Sequence, residues 1–287
     1  MLFLLAAGLT LVFGIMDMIN LAHGSLYMIG AYLMASFVQA TGSFWLALPL
    51  ALAATAIVGA VLEISLLRKL YERDHLTQVL ATFAVILIAN EAVRIIWGTQ
   101  SLMLNAPAGL TGPVQLGGMQ YASYRLAIIG VGIAVAFLLY VLVTKTKVGM
   151  LVRAGASNRE MAIAMGVNIR ALFTAVFAFG AALCALAGAM LGPILAVQVG
   201  MGENILILAF VVIVIGGIGS VRGAFVGALL VGLVDTMGRA LLPIGFATMF
   251  PPQVASNLGP SLSSILIYVL MAGVLFFRPR GLFPARG

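Results

Sequence analysis

Tyr124-Arg-Leu-Ala-Ile-Ile-Gly-Val-Gly-Ile-Ala-Val-Ala-Phe-Leu-Leu-Tyr-Val-Leu-Val143 carries a single charge, Arg125, at its first turn, and Lys145 and Lys147 follow at once. A helix needs roughly 20 apolar residues to cross the hydrocarbon core of a bilayer, and this stretch supplies them. The same pattern recurs along the chain. Apolar runs cover Met1–Ile15, Gly24–Ala40, Phe44–Leu67, Val79–Trp97, Tyr124–Val143, Ala171–Val197, Asn204–Gly219, Gly223–Leu242 and Ser261–Phe277. Of the 287 residues 63% are hydrophobic and 8% charged. A soluble domain carries about 25% charged residues, so this stock cannot build a water-exposed surface. The expected fold is an all-α polytopic membrane protein with about 8–9 transmembrane helices, some of them short or discontinuous. A single membrane-spanning domain over residues 1–287 is expected.

The net charge of +7 reads as topology, with no nucleic-acid partner, because the basic residues gather in a few connections. Arg68, Lys69 and Arg73 occupy one loop. Lys145, Lys147, Arg153, Arg159 and Arg170 occupy the next, Arg222 a tight turn, and Arg278, Arg280 and Arg286 the tail. The intervening connections Gly98–Ser123, Gln198–Glu203 and Pro243–Pro260 hold no lysine or arginine. The positive-inside rule then places the basic loops and the C-terminus in the cytoplasm, and Met1 outside. Met1-Leu2-Phe3-Leu4 has no basic leader, so no cleavable signal peptide is expected. The loop Gly98–Ser123 is read either as a small cap that meets a partner or as a disordered connector. Cys184, the only cysteine, lies in an apolar run and is expected to be a buried, inert thiol.

Several chemistries are missing. No lysine follows a glycine, so the phosphate-binding pattern G-x-x-x-x-G-K-[ST] is absent. His23 and His75 gather no metal-ligand cluster around them. No serine–histidine–acid set stands out. Neither catalytic nor metal-binding residues nor a cofactor are expected, and any nucleotide-driven motor must be another polypeptide.

Three sets of polar residues stand against this apolar background. Asp17, Asn20 and His23, with Gly24, interrupt the first apolar region. Asp17 and His23 are read as lying in a water-exposed cytoplasmic turn, Asn20 and His23 alternatively as hydrogen-bonding groups that hold a broken helix together, and substrate contact is the third reading. Ser157-Asn-Arg-Glu160 has the form of a capping box, and Gly166 suits a left-handed helix end. Between them a helix of about two turns would place Met161 and Met165 on one face, either docked in a partner's groove or resting on headgroups. Glu63, Glu91 and Asp235 are the embedded acids. Their positions near span ends favour ordinary solvation, yet Glu91 or Asp235 keeps a proton-coupled secondary transporter, acting alone, in view. A passive channel or scaffold is a further rival.

Small residues recur every four positions at Gly180, Cys184, Gly188 and Gly192, and at Gly219, Gly223 and Gly227. Such stripes let helix backbones approach closely, within one chain or between two such chains. Met1–Ala40 and Asn204–Leu242 both read as apolar run, polar break, apolar run, the pattern an internal repeat would leave.

Together these segments resemble the Liv-type permeases of branched-chain amino acid ABC importers. Gly8-Leu-Thr-Leu-Val-Phe-Gly-Ile-Met16, Ile19-Asn20-Leu-Ala-His23-Gly24 and Gly30-Ala-Tyr32 look like that family's N-terminal signature. Gly149, Arg153, Ala154, Asn158, Ala162 and Gly166 are similar to its ATPase-contacting loop. Gly216-Gly-Ile-Gly-Ser220, Gly223-Ala224, Gly227 and Arg278-Pro-Arg-Gly-Leu-Phe283 match its C-terminal half. Family members usually carry more residues before the Gly-Leu-Thr segment than the seven found here. The resemblance implies a multi-pass permease subunit in the bacterial inner membrane. It implies a second homologous permease, two cytoplasmic ABC ATPases and an extracytoplasmic substrate-binding protein as partners. The cargo would be branched-chain amino acids or related small amino or carboxylic acids. On that reading Gly149, Arg153, Ala154, Asn158, Arg159, Glu160 and Gly166, in a loop over about 144–170, dock the ATPase. Asn20, His23 and Gly24 shape the pathway.

Overall fold

The computed structural model describes residues 1–283 apart from 19, 108, 117 and 247–251. Arg286 and parts of the Ile19 and Pro243–Pro260 segments lie outside the described residues. Eleven α-helices follow in order: α1 Leu2–Met16, α2 His23–Thr41, α3 Phe44–Ser65, α4 His75–Trp97, α5 Ser123–Lys145, α6 Lys147–Ser157, α7 Arg159–Ala164, α8 Ile169–Leu191, α9 Met201–Gly216, α10 Val221–Phe246 and α11 Pro252–Phe277. Each apolar run of the sequence thus becomes a helix. A hairpin of β1 Pro113–Leu116 and β2 Met119–Ala122, with Val114 opposite Tyr121, gives the loop before α5 a defined shape. The disordered-connector reading of that loop is therefore wrong. α10 also continues through Pro243, where a loop was expected.

The helices sort into an enclosed set and a lipid-facing set. α1 is buried along twelve of its positions, and α8 is buried over most of its length. α3, α4 and α5 instead expose Ile57, Ile88, Ile95 and Phe137, residues that only a lipid surround tolerates over so wide a surface. Five helices are long and apolar enough to cross a membrane among the described residues, and α1, α9 and the Ser261–Phe277 part of α11 are shorter apolar segments. The chain is a multi-pass, all-α membrane protein.

Lipid tails are as apolar as leucine, so helices in a bilayer associate by close packing. Glycine supplies it here. A Cβ on Gly188 of α8 would lie 2.4 Å from the Tyr27 carbonyl of α2, and one on Gly223 of α10 would lie 2.2 Å from the Gly216 carbonyl of α9. Gly227 meets Val212 of α9 in the same way, and Gly192 meets Leu104. These positions therefore pack within the chain. Gly219 leaves the stripe: it has φ +80° in the break between α9 and α10, where it abuts Gly14 of α1. Cys184 is fully buried, as expected.

Candidate functional site: a broken helix and a basic elbow

α1 ends at Asp17, which takes a left-handed conformation (φ 50°) and returns its N–H to the Phe13 carbonyl. The chain then turns back inward. The His23 ring reaches the level of Gly8, where an added Cβ would meet Nε2 at 2.9 Å. Gly8 lies eight residues before the end of α1, and the described residues that link α1 to α2, Asp17, Met18 and Asn20 to Ala22, are not helical. Non-helical backbone at this depth is tolerated only when protein surrounds it. Met18, Asn20 and Ala22 are accordingly buried. Asn20 helps stabilise the turn by accepting the Ala22 N–H through Oδ1 at 3.0 Å.

His23 opens α2 and is wholly buried between α1 and α8, with Gly8 and Gly180 on either side and Phe177 edge-on at 6.4 Å. Neither ring nitrogen has a hydrogen-bond partner among the described residues, and Asn20 Nδ2 has none either. The next residue, Gly24, faces Gly202 of α9, whose carbonyl would stand 2.4 Å from an added Cβ. The first turns of α2 and α9 thus meet inside the bundle. The water-exposed-turn reading holds for Asp17, which is exposed, and fails for His23.

The basic segments converge at one end. A pocket of about 570 Å³ there is lined by Ile15 and Asp17 from the end of α1, Arg73 and His75 before and within α4, Arg159 of α7 and Gly219. Beside it Glu63 of α3 is fully buried, against the solvated position expected from its place near a span end. Its carboxylate accepts Arg68 Nη2 at 3.0 Å, the Tyr71 hydroxyl at 2.8 Å and the Thr174 hydroxyl of α8 at 2.6 Å. Burial, and then this hydrogen bond to Glu63, push the Tyr71 phenol well above its usual range, so it stays a donor. The cluster ties α3, the following turn and α8 together. Removing one partner of a buried pair costs about 3–5 kcal/mol. Arg68 is 32% exposed, so Glu63→Gln is expected to cost less, about 2–3 kcal/mol, measured by denaturant unfolding in detergent. Asp74 caps α4 by accepting the Thr77 N–H, and Thr77 holds its carboxyl below the usual range.

The expected docking loop forms an elbow, α6 followed by α7. Asn158, and not Ser157, is the N-cap: its side chain accepts the Met161 N–H at 2.9 Å, while Ser157 ends α6. The Ser157–Glu160 capping box is thereby corrected by one residue, because the cap must leave the helical region and Asn158 is extended (φ −152°). Gly166 does take a left-handed conformation (φ 85°). Several residues singled out from the sequence face back into the chain. Gly149 lets α6 lie against the Leu142 and Val143 carbonyls, and Arg153 donates to the Val143 carbonyl. Arg159 donates to the Ile15 and Met16 carbonyls of α1 and lies over the Phe173 ring at 5.1 Å. Glu160 and Ala154 are exposed, next to an apolar surface of Met150, Met161, Ile163 and Met165. Ile163 was not singled out from the sequence, where nothing separates it from the surrounding apolar residues.

The remaining acids are paired outside the interior. Glu91 meets Arg94 at 3.2 Å, and Asp235 meets Arg239 at 2.8 Å, each one turn away on its own helix.

The model of the family described as branched-chain amino acid transport system / permease component matches residues 1–275. The chain belongs to that family. The high-affinity branched-chain amino acid transport system permease protein BraD of Pseudomonas aeruginosa is 29% identical, covering 97% of this chain and 90% of its own. The corresponding LivH protein of Escherichia coli strain K12 is 28% identical over 83% of this chain and 82% of its own. A probable branched-chain amino acid transport permease protein LivH of Methanocaldococcus jannaschii is 26% identical over 98% and 88%. No solved structure matches. These relatives are named as transport permeases, and the family model spans the broken α1–α2 unit of this chain.

Proposed function

We propose that this chain is the membrane-spanning permease subunit of an ATP-driven importer. It would carry branched-chain amino acids or related small amino or carboxylic acids across the inner membrane by alternating access. Residues 1–287 act as one permease domain, with the elbow over about 144–170 turned to the cytoplasm beside the C-terminus. Two ATPases dock from that side, a second homologous permease completes the pathway, and an extracytoplasmic binding protein delivers the cargo. Hydrolysis takes place on the ATPases. Asn20, His23 and Gly24 line or shape the route.

The observation that carries this reading is the elbow. Gly149, Arg153 and Arg159 fasten it to α5 and α1, while Met161, Ile163 and Met165 stand exposed beside Glu160. An apolar, rigidly held surface at the basic end suits a partner's groove better than water. A transporter working alone by proton coupling finds less support, since Glu91 and Asp235 each sit in an ion pair with an arginine one turn away on the same helix. Met161→Asp with Met165→Asp is expected to weaken capture of the cognate ATPase by about a hundredfold, the scale for losing two interface anchors. Capture by the tagged permease measures it. Undiminished capture by a correctly inserted variant would rule out docking on this face.

A further inference from the structure

α1 is the most enclosed helix of the bundle, and its C-terminal end lies beside the basic pocket. The last carbonyls of a helix have no intrahelical partners. Asp17 returns only its own N–H, to Phe13. The Ile15 and Met16 carbonyls are taken by the guanidinium of Arg159, a residue more than 140 positions further along the chain. Arg159 is the first residue of α7, directly after the cap Asn158, so its backbone moves with the elbow. Its side chain is also held by Phe173 of α8. A single nitrogen, Nη2, donates to both carbonyls, and arginine suits this place because its planar guanidinium lies over the Phe173 ring at the same time, a stacked position that a lysine ammonium does not reproduce. Immediately beyond Met16 begins the non-helical stretch that leads to Asn20 and His23. A displacement of α7 therefore reaches the broken helix through one side chain.

We propose that Arg159 is a positioning residue that links the elbow to the end of α1, so that movement of α6–α7 is passed towards Asn20 and His23. It does not itself touch the ATPase. This rests on the docking reading and assigns it a transmission route. Met161 and Ile163 of α7 face the motor, and Arg159 of the same helix faces α1.

The test uses the complete transporter in liposomes, with its ATPase and binding protein. Two quantities are read: ATPase retained by the tagged permease, and substrate imported per ATP hydrolysed. Arg159→Leu should retain the ATPase, while the import-to-hydrolysis ratio falls about tenfold, within the usual range for a lost coupling contact. Arg159→Lys, which keeps the charge and the stem, should give an intermediate ratio, and it carries the test alone should the leucine variant fail to accumulate. A purely static cap would lower the amount of complex and leave the ratio unchanged, and that result overturns the link. So does loss of the ATPase from Arg159→Lys to the extent seen with Met161→Asp and Met165→Asp, which would make Arg159 a partner contact. Failure of the unmodified chain to retain any ATPase sinks the docking reading and the link together.

Discussion

His23→Leu is expected to stabilise the folded chain and to stop transport. A buried polar side chain without a partner costs about 1–3 kcal/mol relative to an apolar one of similar size. His23 is wholly enclosed and neither of its ring nitrogens is bonded to another described residue. Leucine removes that cost, so unfolding in denaturant should move up by about 1–2 kcal/mol. An imidazole that served only to hold the fold would give the opposite sign. If His23 meets cargo or closes the route in one state of the cycle, uptake should fall by at least about tenfold, the cost of one functional polar contact. Uptake in proteoliposomes, normalised to inserted protein, measures it. A variant both stabilised and fully active would remove His23 from the pathway.

The second large effect concerns folding. Gly188→Val should leave almost no correctly assembled protein. A Cβ at this position would lie 2.4 Å from the Tyr27 carbonyl and 3.3 Å from Ala31 Cβ. The obstacle is α2 backbone, which cannot rotate away as a side chain can. Overpacking a core typically costs about 1–3 kcal/mol, and backbone collision places this case beyond that range. Moving α2 away from α8 would also displace His23, since it is packed against Gly180 of the same helix. Size-exclusion of the detergent-extracted variant should show aggregate in place of a single peak. Gly132→Val, on α5 where an added Cβ meets nothing, should behave as the unaltered chain does.

Much of the architecture is readable from the residues because a bilayer imposes one strong constraint: a spanning helix must be long and apolar. The nine apolar runs became helices, and basic residues far apart in sequence met at one end of the bundle. The elbow was partly legible. Its turn residues fixed the left-handed Gly166, while the cap proved to be Asn158 because two helices, and not one, occupy the stretch. Glu63 misled, since position near a span end says nothing about the Tyr71 and Thr174 hydroxyls that gather around it.

Composition and periodicity thus determined the membrane class, the helices and the basic end, because lipid acts on each segment separately. Only the tertiary structure decided that the chain after Asp17 turns inward, that His23 lies against Gly8 and Gly180, and that Arg159 points to α1 and not to solvent. Those facts depend on which helices lie side by side. Close backbone packing at glycines sets that, and in one sequence such a glycine cannot be distinguished from one that faces lipid.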